Sequence, residues 1–238
     1  MWRWTVLLPV LGLVVSACDV AGTGSPIPAS APAPQEWQMS PELAARTFTQ
    51  VVQRVEPVAE RECRRQARGV NCDFLIAVDP NPRAQPNAFQ SEDARGRPVL
   101  TFTASLIGSV RNADELAFVM GHEAAHHIAN HLERQRLNAA TAAEIFGGLA
   151  TLTGGGTDDV ADAQKLGAAV GARTYSKEFE LEADRWGTVI TYRAGYDPRV
   201  GAAFFARIPD PGDRFLGSHP PNAARVEIVE RTLRELGE

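Results

Sequence analysis

Gly121-His122-Glu123-Ala124-Ala125-His126 sets two imidazoles four residues apart with a carboxylate beside the first. On a helix, residues four apart share a face about one turn from each other, so His122 and His126 reach one tetrahedral ion. Glu123 projects beside that ion. A catalytic zinc lowers the pKa of its bound water towards neutrality, and an adjacent carboxylate takes the proton to make the hydroxide that attacks a peptide carbonyl. The pattern predicts hydrolysis at one zinc per chain, with His122 and His126 as ligands and Glu123 as general base.

A catalytic zinc takes a third protein ligand and keeps one position open. Proteins that draw it from the same segment need glycine at 129 and histidine at 132; Ala129 and Leu132 exclude that class. The other source is a carboxylate on a second helix. Glu178-Phe179-Glu180-Leu181-Glu182-Ala183-Asp184 offers one, with Glu180 and Asp184 four apart on a shared face. One of them ligates while the other accepts a hydrogen bond from the free ring nitrogen of a ligand histidine. Glu178 and Glu182 compete for these roles, and an acidic, solvated helix face is the alternative without function. His127 and His131 repeat the four-residue spacing, but they point away from the first pair and Ile128 cannot act as a base, so both read as structural.

These residues need helices to hold them. Ser40-Pro41-Glu42 is a helix-start signal, and the apolar pattern runs on towards Ala67 with a kink or break expected at Pro57. Phe74 to Val78 reads as a buried strand, Gln90 to Pro98 as a polar loop, and Val99 to Thr103 as a second strand able to pair with the first. Asn112, with Glu115 three residues on, resembles a capping box that opens the helix carrying the His-Glu motif. Residues 139–174 are rich in alanine and glycine, and their glycine pairs mark breaks in mobile or loosely packed helical structure. A helix from Ser176 to about Ala194 stops at Gly195 and Pro198, and a last helix follows Pro221. The fold expected is α+β, a mainly helical zincin-type core with a small β-sheet.

Taken together, Asp114-Glu115-Leu116-Ala117-Phe118 before the motif, Glu180-Leu181-Glu182-Ala183-Asp184-Arg185, Ala194-Gly195-Tyr196-Asp197-Pro198 and Ser218-His219-Pro220 resemble the HtpX, BepA and LoiP family of zinc metallopeptidases, related to the CaaX prenyl proteases. The likeness covers about residues 40–236. It implies that Glu180 is the third ligand, with Asp184 supporting. It also implies a histidine and a following arginine facing the zinc, here His219 and Arg225, with His219 either stabilising the oxyanion or ligating zinc as a plug. Two departures stand out. Asn87-Ala88-Phe89 runs into the polar insert Gln90 to Pro98 instead of a glycine-rich hairpin, and the transmembrane helices of HtpX have no counterpart, since the apolar stretch from Ile145 to Leu152 is short.

The chain has 238 residues, 44% hydrophobic and 22% charged, with a net charge of -5, which suits one catalytic domain. No basic stripe points to nucleic acid. Arg3, the apolar run from Val6 to Val15 and the small residues after it form an export signal over residues 1–17, too short for a comfortable bilayer crossing. Val15-Ser16-Ala17-Cys18 matches a lipobox, so Cys18 is expected to be acylated and to hold the mature chain on a membrane of a bacterial envelope, on the periplasmic side. Residues 18–36, with prolines at 26, 28, 32 and 34, form a tether ahead of a peptidase domain at 37–238. Cys63 and Cys72 remain as a disulfide pair suited to an oxidising periplasm. The function expected is a zinc endopeptidase acting on unfolded or misassembled envelope proteins. The alternatives are a zinc-stabilised chaperone or assembly factor that rarely cuts, and a lipoprotein with a purely structural metal.

Overall fold

Helix α1 (Pro41–Gln66) opens with the Ser40 hydroxyl accepting from the Leu43 N–H at 3.3 Å and Pro41 in the first turn, where no backbone donor is needed. The computed structural model describes residues 39–174, 176–207 and 221–238, so the leader, Cys18, the tether and His219 lie outside the described residues. The helix does not break at Pro57. One lost backbone hydrogen bond is outweighed by a continuous buried stripe of Ala44, Val51, Val55, Val58, Ala59 and Cys63. A disulfide from Cys63 to Cys72 ties the end of α1 to the segment entering the sheet.

That sheet has three strands, β1 (Leu75–Asp79), β2 (Ala88–Glu92) and β3 (Pro98–Thr103), in the order β1-β3-β2. β1 runs parallel to β3, with Leu75 opposite Val99, and β2 runs antiparallel, with Phe89 opposite Thr101. Gln90 to Glu92, read as loop because they are polar, are three of the five residues of β2; pairing with β3 overrides their composition. The Phe74 to Val78 stretch is not a buried strand. β1 is an edge, Leu75 and Val78 are 40% and 45% exposed, and only Phe74, just ahead of it, is buried.

The remaining elements are α2 (Ala104–Ser109), α3 (Ala113–Ile128), α4 (His131–Leu152), α5 (Thr157–Arg173), α6 (Ser176–Arg193), α7 (Pro198–Ala202), a 3-10 turn at Ala203–Arg207 and α8 (Asn222–Leu236). The fold is thus α+β and mainly helical, with a small sheet. The region 139–174 packs closely within itself but leaves Ile145, Leu149, Leu152 and Leu166 more than half exposed. α4 and α5 form an antiparallel pair in which Gly147 lies against Gln164 and Gly167 against Ala142, and only the Gly154-Gly155-Gly156 run breaks the chain.

α3 is apolar nearly all round, as a helix buried on all sides must be, and it packs against α1, α6 and α7. Its cap is half the box expected: the Asn112 side chain accepts from the Glu115 N–H at 2.9 Å, but Glu115 turns to the Arg111 N–H and pairs with Arg207. α3 and α6 cross at two glycines. A Cβ on Gly121 would stand 2.9 Å from the Gly187 carbonyl oxygen, and one on Gly187 would stand 3.0 Å from the His122 nitrogen. On α6 the face that meets α3 carries Glu180, Asp184, Gly187 and Thr191, at helical spacing.

Gly187→Ala should therefore force the two helices apart, costing about 1–3 kcal/mol as overpacking does. Chemical denaturation measures this, and an unchanged midpoint would show that the crossing yields without cost.

Candidate metal centre

The motif on α3 and the acidic stretch on α6 meet across the glycine crossing. His122 Nε2 and His126 Nε2 stand 3.0 Å apart, and the Glu180 carboxylate completes the group at 3.5 Å from the first and 3.4 Å from the second. Ligand atoms around a tetrahedral zinc, each about 2.0–2.2 Å from it, are separated by about 3.4 Å. The donor set of two imidazole nitrogens and one carboxylate oxygen thus fits such an ion in type and in spacing, and all three ligand atoms lie within 4.8 Å of one another. Two ring nitrogens this close need something electropositive between them.

Charge supports the same conclusion. Burial works against a charged His122 ring, yet hydrogen bonds to Asp184 and Glu180 outweigh it and raise the pKa to about 10. Without an ion, the carboxylates hold a proton on the ring; the site is built for positive charge.

Asp184 is completely buried and accepts from His122 Nδ1–H at 2.9 Å. A carboxylate only accepts here, so Nδ1 carries a proton, and it is the neutral ring, the form that binds a metal, whose Nε2 lone pair is left on the Glu180 side. The Arg225 guanidinium, on α8, donates to both Asp184 oxygens at 2.7 Å from Nε and Nη2. Nη2 also lies 3.6 Å from Glu180, and the guanidinium carbon is 3.6 Å from the centre of the Phe205 ring. Arg225, the acid-rich stretch and the motif are far apart in sequence and adjacent in space.

Glu123 lines a cleft of about 510 Å³ together with the three candidate ligands His122, His126 and Glu180. Apolar walls come from Phe89, Leu106, Val119, Leu132 and Phe204. β2 forms one rim, its Ala88, Phe89 and Gln90 opening onto the cleft.

Sequence spacing misplaced one residue. His131 does not point away from the first pair: its Nδ1 stands 2.9 Å from His126 Nδ1, and its Nε2 lies 3.1 Å from Glu182. Had α3 continued, position 131 would have turned to another face. Asn130 adopts the left-handed conformation at φ 55°, which asparagine tolerates, and redirects the chain. Asparagine four residues after His126 was the signal available. His127 does leave the centre, donating from Nε2 to the Asn71 carbonyl at 2.7 Å with Phe74 edge-on. Of the two acidic competitors, Glu182 pairs with Arg134 at 2.7 Å, on the far side of His131.

The sequence profile of peptidase family M48 matches residues 45–233. A Vibrio cholerae protein named "Putative beta-barrel assembly-enhancing protease" is 34% identical over 118 residues, which are 47% of this chain and 24% of that one. The yeast "Mitochondrial metalloendopeptidase OMA1" is 28% identical over 71% of this chain and 49% of its own length. The bovine OMA1 metalloendopeptidase is 27% identical over 72% of this chain and 35% of its own. The chain thus spans half or less of the length of these relatives.

Asp184→Ala takes from buried Arg225 its nearer counter-charge and both of the hydrogen bonds to it, which should cost about 3–5 kcal/mol. Urea unfolding of the metal-free protein isolates that cost from any effect on metal, and a loss under about 1 kcal/mol would show that the pair does not hold α8 to α6.

Proposed function

This chain belongs to peptidase family M48 and carries its metallopeptidase domain, and on that premise we propose that it is a zinc endopeptidase of the bacterial envelope in which Glu123 is the general base. The observation that carries the reading is the convergence of His122, His126 and Glu180 in a cleft that Glu123 also lines. Three protein ligands leave room for substrate and water, as catalytic zinc requires. Bound there, zinc acidifies water and polarises the scissile carbonyl.

The chain's own residues do the rest. His122 and His126 offer Nε2, and Asp184 holds the His122 ring in the tautomer that makes this possible. Arg225 donates to both oxygens of Asp184 and balances its charge in a fully buried position. Glu123 takes a proton from the attacking water and returns it to the leaving amine. His219, outside the described residues, is assigned by the family resemblance alone, either to the oxyanion or to the zinc as a plug ligand. Among the described residues no strand pairs with the outer side of β2 beside the cleft, which suits an extended peptide bound as an added antiparallel strand. Apolar walls favour the apolar side chains that unfolded proteins expose.

Location and substrates rest on other supports. The signal over residues 1–17 and the lipobox ending at Cys18 argue for export and lipid attachment, and the Cys63–Cys72 bond suits an oxidising compartment. Unfolded or misassembled envelope proteins are the substrate class proposed. The name of the Vibrio cholerae relative, which ties that protein to β-barrel assembly, supports it.

Zinc content by elemental analysis and casein cleavage, measured on the purified chain, test the assignment. Wild type should hold about one zinc and cut; Glu123→Gln should keep the zinc and lose activity by about 10²–10⁴-fold, the usual worth of general base catalysis; Glu180→Ala should lose the metal. Undiminished cleavage by Glu123→Gln would end the proposal for Glu123.

A further inference from the structure

The ring of His126 meets His131 on the side away from His122, and that contact continues outward through Glu182 to Arg134. We infer that His131 is a positioning residue for the metal centre: it fixes the proton and the orientation of His126, with Glu182 anchoring it from behind. The inference rests on the reading of His126 as a zinc ligand.

The hydrogen bonds admit one assignment. Arg134 donates to Glu182 at 2.7 Å, and the Glu182 carboxylate accepts from His131 Nε2 at 3.1 Å, so the His131 proton lies on Nε2. His131 Nδ1 is then an acceptor, and among the described residues the donor facing it, at 2.9 Å, is His126 Nδ1–H. A neutral imidazole carries one proton, so His126 Nε2 is left with its lone pair on the side where His122 Nε2 and Glu180 lie. The two metal-facing histidines are therefore fixed by different devices. His122 is held directly by a buried carboxylate on α6, and His126 through a second histidine that reaches another α6 carboxylate.

Packing makes His131 a rigid intermediary. Its ring is buried and lies stacked on Phe179, with centroids 4.5 Å apart and an interplanar angle of 11°. The Arg134 guanidinium covers Phe179 at 4.3 Å from the ring centre. The left-handed Asn130 is what returns His131 to His126 across the junction of α3 and α4. Phe179 and Glu182 lie on α6 one residue before and two after Glu180, so the helix that presents the carboxylate ligand also sets the His126 ring.

Two substitutions separate positioning from bulk. His131→Phe keeps a flat ring on Phe179 and removes the acceptor; His131→Asn restores an acceptor near the Nδ1 position. Zinc affinity is read on the purified full chain by competition with a chromophoric chelator, beside His126→Ala, with the urea midpoint of each metal-free form as the measure of folding. Loss of a residue that orients a ligand costs about 10–100-fold in metal affinity. His131→Phe should show that loss with an unchanged metal-free midpoint, and His131→Asn should recover most of it. If His131→Phe fails to fold, His131→Asn and Glu182→Ala decide, the first expected near wild type and the second weakened. Wild-type affinity in His131→Phe, or in Glu182→Ala where that variant decides, while His126→Ala loses zinc, overturns the inference and leaves the ligand reading standing. Equal affinity in wild type and His126→Ala overturns the ligand reading and this inference with it.

Discussion

Asp184 has no exposed surface and accepts from nitrogens on two other helices, His122 Nδ1 on α3 and the Nε and Nη2 of Arg225 on α8. A buried carboxylate is tolerable only when its oxygens are satisfied and its charge is balanced. Those two needs bring α3, α6 and α8 to one place. The close crossing at Gly121 and Gly187 is the steric counterpart: it removes the side chains that would keep His122 away from α6. Glu180, one turn before Asp184 on the same helix face, is delivered to the histidines by the same contact.

The metal-facing group is therefore pre-organised from both sides of α3. On the buried side, Asp184 and Arg225 set His122 in surroundings with little water, where hydrogen bonds to charged groups are strong. On the cleft side, His126 is only half-buried, and its ring is set by His131. Glu123 faces the same cleft, held by the helix that carries both histidines. Rigid elements thus present the polar groups of the centre, while further parts of the cleft surface come from β2, α2 and the turn after α7.

The sheet contributes to the site by its edge. β3 lies between β1 and β2 and supplies the buried Leu100 and Phe102, which pack with α1 and α3. Among the described residues β2 pairs on one side alone, and its polar residues Gln90, Ser91 and Glu92 suit an edge strand. The same polarity hid the strand in the sequence, because alternation of apolar and polar residues is what marks a strand and this one has almost none.

Residues linked by local geometry were legible in the sequence. His122, Glu123 and His126 belong to one helix, and Glu180 and Asp184 to another, so helical periodicity alone groups each set on a face. The mainly helical α+β class followed from the same patterns. The choice of Glu180 over Glu178 and Glu182 needed the family resemblance, since nothing local separates three carboxylates on neighbouring positions. What tertiary structure alone decided are the relations across elements: the glycine crossing that sets α3 on α6, the guanidinium of Arg225 on Asp184, and the return of His131 to His126. Each depends on where a second element arrives or on a single left-handed residue that ends one helix axis and begins another, and the period of a helix stops carrying information where its axis ends.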